Sequence, residues 1–583
     1  MVSMPRPPRT ALVLGSDTRS FLAVVRSLGR QGVQVHVAPY DFSSAALSSR
    51  YISGVHRLPP VQADPEEWIV ALLALCERIA PDVVFPCDDR GIIPLHHFRQ
   101  RLGALRVALP GPEALAAFFD KHQTRQLAAQ CGVPTAPGRL LDPEDTADTL
   151  ASEFGFPLYL KPCSSYELSS IESRQNVIAC KSSRQLRQAL STIGRHQRFL
   201  VEAHSAGTGV GLSVLCRDGE VSHAFQHRRV REPVGGGGSS YRRSESVSAD
   251  LEQMTRALCR AARLEGVAMF EYRVDDATGR KILLEVNARF WGSLPLAVAA
   301  GVDFPALWFQ QLTSSAPLPR QAAYRVPFHA RNLLADLYST AGHASSAHPG
   351  SRFRQLLHMV VWAGSLWRLP LGRESLDTLA LDDPQPAGRE FAQIVRKLEG
   401  RVRHAVPALD ARHRHRLRLQ VRAACLSARR EQRPLRLLVA CFGNICRSPF
   451  AHRLLEQRFK DSKQSVQIMG AALACRPGRP SPARAVAVAS EWQVDLSEHR
   501  SVYATDEMLA AADLVLVFDG ANLELLAARG ATLRHGVWRL GELTTSGTVD
   551  IVDPVDGDEA FFRRVYGAIA GAVDELQAVV EAP

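Results

Sequence analysis

Short apolar runs alternate with stretches of helical period through residues 10–110. "ALVLGS" reads as a buried strand and "SFLAVVRSLGRQG" as a helix stopped at glycine. "VQVHVAPY" and "DVVFPCDD" read as further strands. Continuous apolar strands separated by helices predict a parallel, doubly wound sheet. From 111 to 330 the period shortens. "RFLVEAH", "GLSVLCRDGEVSHAFQHR" and "MFEYRVDDATGRKILLEVNA" alternate as antiparallel strands do, with turns at Asp-Gly and Thr-Gly-Arg. Residues 331–435 read as a helical, Arg-rich connector, broken at "LDDPQPAG". A strand, a tight loop and a helix then restart the pattern in "RPLRLLVACFGNICRSPFAHRLLEQRF", and 436–583 suit one small doubly wound α/β domain. The expected architecture is a multidomain α/β and α+β chain divided at 110, 330 and 435.

A length of 583 residues exceeds one hydrophobic core at roughly 100–200 residues per domain. With 46% apolar and 22% charged residues, a disordered, collagen-like or coiled-coil chain is excluded. No apolar run is long enough to span a membrane, and the N-terminus offers no signal peptide. The longest run, Leu356 to Trp367, reads as a packed helix, with peripheral contact at a membrane interface as the alternative. The cysteines are scattered and show no zinc-ligand spacing, so reduced thiols in a cytoplasm are expected.

The net charge of +11 is uneven. Residues 396–436 hold 13 Lys/Arg against 3 Asp/Glu, which leaves about +1 for all the rest. A solvated helical linker is the expected reading of that stretch, with no nucleic-acid partner; tethering to an anionic surface is the alternative. Seven lysines stand against 63 arginines. A surviving Lys, such as Lys121 or Lys161, then marks a place that needs a compact ammonium.

Cys441–Ser448 reads C-F-G-N-I-C-R-S, with C-x5-R from Cys441 to Arg447. A loop between a strand end and a helix N-terminus turns its amides inward and binds a tetrahedral dianion. The same field stabilises a thiolate at Cys441, and Arg447 offers a fork to two phosphate oxygens. "DIVDPVDG" supplies a proton donor, Asp553. "VACFGNICRSPFA", "DLSEHRS", "ADLVLVFD" and "DPVDGDEAFFRRVY" occur in order, and this segment resembles the low-molecular-weight protein tyrosine phosphatase family over about 145 residues. The resemblance implies Cys441 as nucleophile through phosphocysteine, Asp553 as general acid and Arg447 as transition-state clamp. It implies that Asn444 holds the loop's shape, that Ser448 hydrogen-bonds the thiolate, and that Cys446 can protect Cys441 as a disulfide. The segment departs from the family at Val555 and Asp556, where aromatics are usual, and over 470–485. Arsenate reductases share the loop but need redox cysteines downstream, and Cys475 is the last one here.

Lys161 ends a strand in "YLKP", and Lys121 opens "DKHQTRQLAAQCGVPTAPG". Glu285 and Asn287, two apart on a strand, face one way, and an antiparallel neighbour can bring Glu271 beside them as a hard-oxygen set for Mg2+. With "FLVEAHSAGTGVGLSVL", "QHRRVREPVGGGGSS" and "LLEVNARFWGSLPLAVAAGVDFP", residues 10–330 resemble the carboxylate–amine ligase-like branch of the ATP-grasp superfamily, the first 110 residues being its preceding domain. The resemblance implies phosphate contacts from Lys121 and Lys161, adenine at Val201–Glu202, and Mg2+ on Glu271, Glu285 and Asn287. It also implies Arg289 on the transferred phosphoryl group and closure by loops 205–211 and 233–240. The stretch holding Gly207, Gly209 and Gly211 leaves the ribose contact unassigned. The function expected is a two-enzyme fusion. An ATP–Mg2+-dependent ligase of a small carboxylate and an amine precedes a hydrolase of a phosphorylated protein or small phosphomonoester. The alternative is a phosphatase regulated by a nucleotide-sensing or partner-binding module.

Overall fold

The apolar run Thr10–Leu14 forms β1 of a parallel sheet in the computed structural model of the chain. The structure describes all residues except 1–8, 63, 169–170, 172–174, 194–196, 233–237, 348–350, 406, 475–476, 530–535, 545–548, 556 and 583. It describes no side chains at 345, 352, 396–405, 407–410, 524 and 527–529. β1 lies between β2 (Gln34–Ala38) and β4 (Val83–Pro86), with β3 (Ile52–Val55) outside β2, and all pairs are parallel. After β1 the Asp17 carboxylate accepts the backbone N–H groups of Arg19, Ser20 and Phe21 at 2.8, 2.6 and 3.0 Å. It occupies the amides that a nucleotide phosphate would need.

Two antiparallel sheets follow. The smaller has the order β5 (Gly138–Leu140), β8 (Phe199–Ala203), β6 (Leu158–Pro162), β7 (Ile178–Cys180). The larger contains β9 (Thr208–Arg217), β10 (Glu220–Arg231), β11 (Tyr241–Glu245), β12 (Gly266–Val274), β13 (Lys281–Asn287), β14 (His329–Arg331) and β15 (Glu374–Leu376). Its order is β13-β12-β9-β10-β11-β14-β15. The β9–β10 hairpin turns on Asp218 and Gly219, both at positive φ (47° and 81°), the pair that matches the twist of adjoining strands.

The larger sheet continues past residue 330. β14 and β15 extend the sheet into the segment read as a helical connector, and the described residues divide into two compact units at Glu390. Strands of three residues carry no legible alternation. Charge holds these two: the buried Arg331 binds Glu374 at 2.6 Å and Asp336 at 2.9 Å. The apolar run at 356–367 also departs from expectation. The helix Arg352–Ser365 turns its polar anchors inward, Trp362 Nε1 donating to Asp336 at 2.7 Å and Arg331 to Ser365 Oγ at 3.0 Å. Its apolar positions Phe353, Leu356, Leu357, Val360 and Val361 face outward. Among the described residues no helix is long and apolar enough to cross a membrane.

In the second unit β16 (Leu435–Cys441) lies between β17 (Val466–Ala472) and β18 (Leu514–Val517), with β19 (Val537–Arg539) beyond β18, all parallel. The basic segment is not a solvated linker throughout. The helix Pro407–Arg430 buries Leu417, Val421, Ala424, Cys425 and Ala428 in the core that holds β16 and the helix Glu559–Glu581. Those spacings of three and four form one apolar stripe, and the arginines occupy the other face.

Candidate active sites

β16 ends at Cys441, and the helix Arg447–Phe459 begins six residues later. Cys441 is buried, and its Sγ accepts the Asn444 backbone N–H at 3.2 Å. Ser448 Oγ lies 3.0 Å from the sulfur and accepts Asn444 Nδ2 at 2.8 Å. The Ser448 hydroxyl proton is therefore available to Sγ. Asn444 sits at φ 49°, a left-handed conformation that a non-glycine residue holds only when its surroundings fix it. They do so here: Asn444 Oδ1 accepts the Val502 N–H at 2.9 Å, and His499 Nε2 donates to the Asn444 carbonyl at 2.8 Å. Burial lowers the pKa of His499, so its neutral ring with the proton on Nε2 suits this role.

Arg447 is buried under three acceptors. Nη2 donates to Asp553 at 2.6 Å, and Nη1 donates to Asp519 at 2.5 Å and to the Ile551 carbonyl at 2.9 Å. Burial works against its charge, but Asp553, Cys441 and Asp519 outweigh it and hold the guanidinium ionised. Cys441, Asn444, Arg447, Ser448 and Asp553 thus stand in one constellation. Burial, with Asp553 and Cys441 adding to it, pushes the neighbouring Cys446 thiol up. Tyr566 stacks on Phe450 at 3.9 Å and donates to the Cys446 carbonyl at 3.2 Å, bracing the loop from behind. Asp519 and His499 were not singled out by the sequence reading, although both lie in blocks matching the resembled family. Cys475 and Asp556 lie outside the described residues.

Asn444→Ala removes both amide hydrogen bonds and leaves a Cβ residue at positive φ. The turnover number on a small aryl phosphate is expected to fall by about ten- to a hundredfold. Asn444→Gly, which tolerates the conformation, recovers part of that loss. Equal rates for the two variants speak against a role for the strained backbone.

In the first unit β12 and β13 set Glu271 directly opposite Glu285 and Asn287 opposite Met269. The strand period then puts both carboxylates and the amide on one face. Among the described residues no cluster of three or more His, Cys, Asp or Glu could hold a metal. Two carboxylates and an amide fit a Mg2+ that takes its remaining oxygens from phosphates and water, rather than a closed protein cage.

The charges around that face are paired. Glu271 accepts from Arg229 at 2.6 Å, and Glu285 lies 4.0 Å from Lys121, which donates to Ser165 Oγ at 3.0 Å. Arg289 Nε reaches both oxygens of Asp89 at 3.0 Å. Lys121, Glu285, Asn287 and Arg289 line one cavity of about 270 Å3. Glu271, Lys161, Val201 and Glu202 do not line it. Lys161 and Arg125 both bind the buried Glu202 from the smaller sheet, Arg125 at 3.0 Å, and Val201 is buried. A larger cavity of about 640 Å3, beside Arg9, His223 and Asp303, contains none of the expected residues.

The sequence reading missed the cations on β10 and β11. Register pairs Glu271 with Gly211 and Gly211 with His227, while Arg229 faces Arg242. A Cβ at 211 would stand 2.2 Å from the His227 ring, so this glycine makes room for the imidazole beside Glu271. Burial, reinforced by Arg242 and Arg229, takes His227 down to about 3. His227 Nδ1 and Arg242 Nε and Nη1 are buried without a hydrogen-bond partner. The alternation in "QHRRVRE" was the signal that put His227 and Arg229 on one face. Within the expected closing loop 233–240, residues 233–237 lie outside the described residues.

Residues 436–582 match the profile of the family described as low molecular weight phosphotyrosine protein phosphatase. Residues 195–332 match that described as ATP-grasp in the biosynthetic pathway with Ter operon. The chain is 36% identical over 146 residues to a probable low molecular weight protein-tyrosine-phosphatase, EpsP, of Ralstonia nicotianae, covering 91% of that protein and 25% of this one. It is 27% identical over 140 residues to a protein-arginine-phosphatase of Bacillus subtilis, covering 93% of that protein and 24% of this one. A crystal structure of an L-amino acid ligase from Bacillus licheniformis aligns with 16% identity and a TM-score of 0.42, over 53% of this chain and 75% of that one.

Proposed function

We propose, from the chain's membership of the low-molecular-weight protein-tyrosine-phosphatase family through residues 436–582 and from the ATP-grasp region ahead of it, a bifunctional cytoplasmic enzyme. The C-terminal unit hydrolyses phosphotyrosyl protein or a related aryl phosphate. The Cys441 thiolate attacks phosphorus, forming an S–P bond as the P–O bond to the leaving group breaks. Asp553 gives the leaving oxygen its proton, then takes one from the water that cleaves phosphocysteine, releasing inorganic phosphate. Arg447 trades its contacts with Asp553 and Asp519 for the phosphate oxygens, which frees Asp553 for proton transfer. The hydrogen bond from Arg447 to Asp553, with Sγ held by the Asn444 amide, carries this reading. Exposed Phe442, Val502, Tyr503, Val552 and Val555 give an apolar rim that suits an aromatic ring despite the missing aromatics at 555 and 556.

The first unit joins a small carboxylate to an amine. The carboxylate oxygen takes the γ-phosphoryl group of ATP and ADP leaves. The amine nitrogen then attacks the acyl carbon, and phosphate leaves with loss of one proton. Lys121 and Lys161 hold phosphates, the Val201–Glu202 edge receives adenine, and Arg289 steadies the acyl phosphate. Glu271, Glu285 and Asn287 would hold Mg2+, which neutralises phosphate charge when bound. His227, Arg229 and Arg242 offer cationic and donor groups to the substrate carboxylate. The ten described cysteines, all free thiols, support a reducing compartment.

ADP formation by the full chain on a panel of carboxylates and amines tests the ligase reading. ADP that appears only when both co-substrates are present supports it. Nucleotide binding with no ADP on any pair rejects it and leaves a nucleotide-sensing module.

A further inference from the structure

The helix Arg352–Ser365 is built inside out. Its inner side is anchored by Trp362 on Asp336 and by Ser365 on Arg331. Its outer side presents Phe353 at 76% exposure, Val361 at 67% and Leu356 at 62%, joined by Leu357, Val360 and, just beyond the helix, Trp367. Positions 353, 356, 357, 360 and 361 recur at spacings of three and four, so they form one continuous stripe. Folded chains bury such stripes, and a contiguous exposed one marks a surface that meets something apolar.

Charge decides what meets it. Residues 351–373 contain Arg352, Arg354, Arg368 and Arg373 and no Asp or Glu. Arg354 and Arg373 are exposed. A second copy docked on this face would set like charges against each other in an apolar contact, which is costly. An anionic bilayer offers both complements at once: acyl chains for the stripe and headgroup phosphates for the arginines, with Trp367 beside Arg368 at the depth where indole rings settle. We propose that this helix lies in the plane of an anionic membrane surface and holds the enzyme there peripherally.

Co-sedimentation of the full chain with vesicles tests this. One set is pure phosphatidylcholine, the other equal parts phosphatidylcholine and phosphatidylglycerol. Binding to the mixed vesicles should exceed binding to the neutral ones by at least about tenfold and weaken with salt. The double variant Leu357→Glu/Val360→Glu should lose binding by at least about tenfold, and Arg354→Glu/Arg373→Glu by several-fold. The far-UV circular dichroism spectrum and thermal midpoint of the full chain should be unchanged in both variants, which shows that the unit carrying the helix still folds. Failure to bind the mixed vesicles overturns the proposal, as does binding indifferent to both variants. So does a wild-type dimer in sedimentation equilibrium that the Leu357→Glu/Val360→Glu variant converts to monomer, because self-association then owns the face.

Discussion

Cys441→Ser is expected to lower the turnover number on a small aryl phosphate by at least about ten-thousandfold, which corresponds to roughly 5 kcal/mol of activation free energy. The reason is chemical rather than steric. The loop offers Sγ the Asn444 N–H and the Ser448 hydroxyl, with the ionised Arg447 near by. Those donors favour charge on a polarisable sulfur, and a serine oxygen in the same place is a far weaker nucleophile toward phosphorus. The variant should still fold and bind inorganic phosphate, since Arg447 and the loop amides are untouched. Steady-state hydrolysis alongside a phosphate-binding titration separates the two effects. Retention of more than about a tenth of the wild-type rate would remove Cys441 from the mechanism.

The proposed hydrolase constellation is nearly contiguous in the sequence. Cys441, Asn444, Arg447 and Ser448 fall within eight residues. What stayed hidden lies far along the chain. Asp519 meets Arg447 across 72 positions and His499 meets Asn444 across 55, and no local spacing reports such pairings. The proposed nucleotide site is spread further: alternation gave Glu285 and Asn287 on β13, and antiparallel pairing added Glu271 on β12. Arg229, Asp89 and Arg125 are partners of the expected residues rather than members of a motif.

The fold shows the same division. Apolar strands such as β1 and β16 declare themselves, whereas β14 and β15 are short, polar and held by buried ion pairs. Two helices misled for opposite reasons. In 407–430 the arginine count masked an apolar stripe beginning at Leu417. In 352–365 the apolar stripe predicts a core face, but the inward contacts are Trp362 and Ser365. Hydrophobic period identifies a helix and its stripe, but the partner on the far side of that stripe must come from the tertiary structure.

Glu285→Gln is expected to reduce ADP formation by about a hundred- to a thousandfold and to raise the Mg2+ concentration needed for half-maximal rate by more than about tenfold. Glu285 stands where three requirements meet. It shares a strand face with Asn287, pairs across the ladder with Glu271, and lines the cavity that also holds Lys121 and Arg289. Replacing its charge with an amide keeps the shape but halves the carboxylate complement of the set. It also leaves the Lys121 ammonium without the carboxylate 4.0 Å away. Glu271→Gln differs, because Arg229, 2.6 Å from Glu271, then loses its nearest partner inside the sheet and stability falls as well. The two variants therefore divide metal handling from structural pairing. Glu285→Gln should shift the Mg2+ dependence with little change in thermal midpoint, whereas Glu271→Gln should change both. Aryl phosphate hydrolysis serves as an internal control, since Cys441 and Asp553, its proposed nucleophile and acid, lie in the other unit. An unchanged Mg2+ dependence in Glu285→Gln would take the hard-oxygen set out of nucleotide chemistry and leave it as a pairing lattice for Lys121 and Arg229.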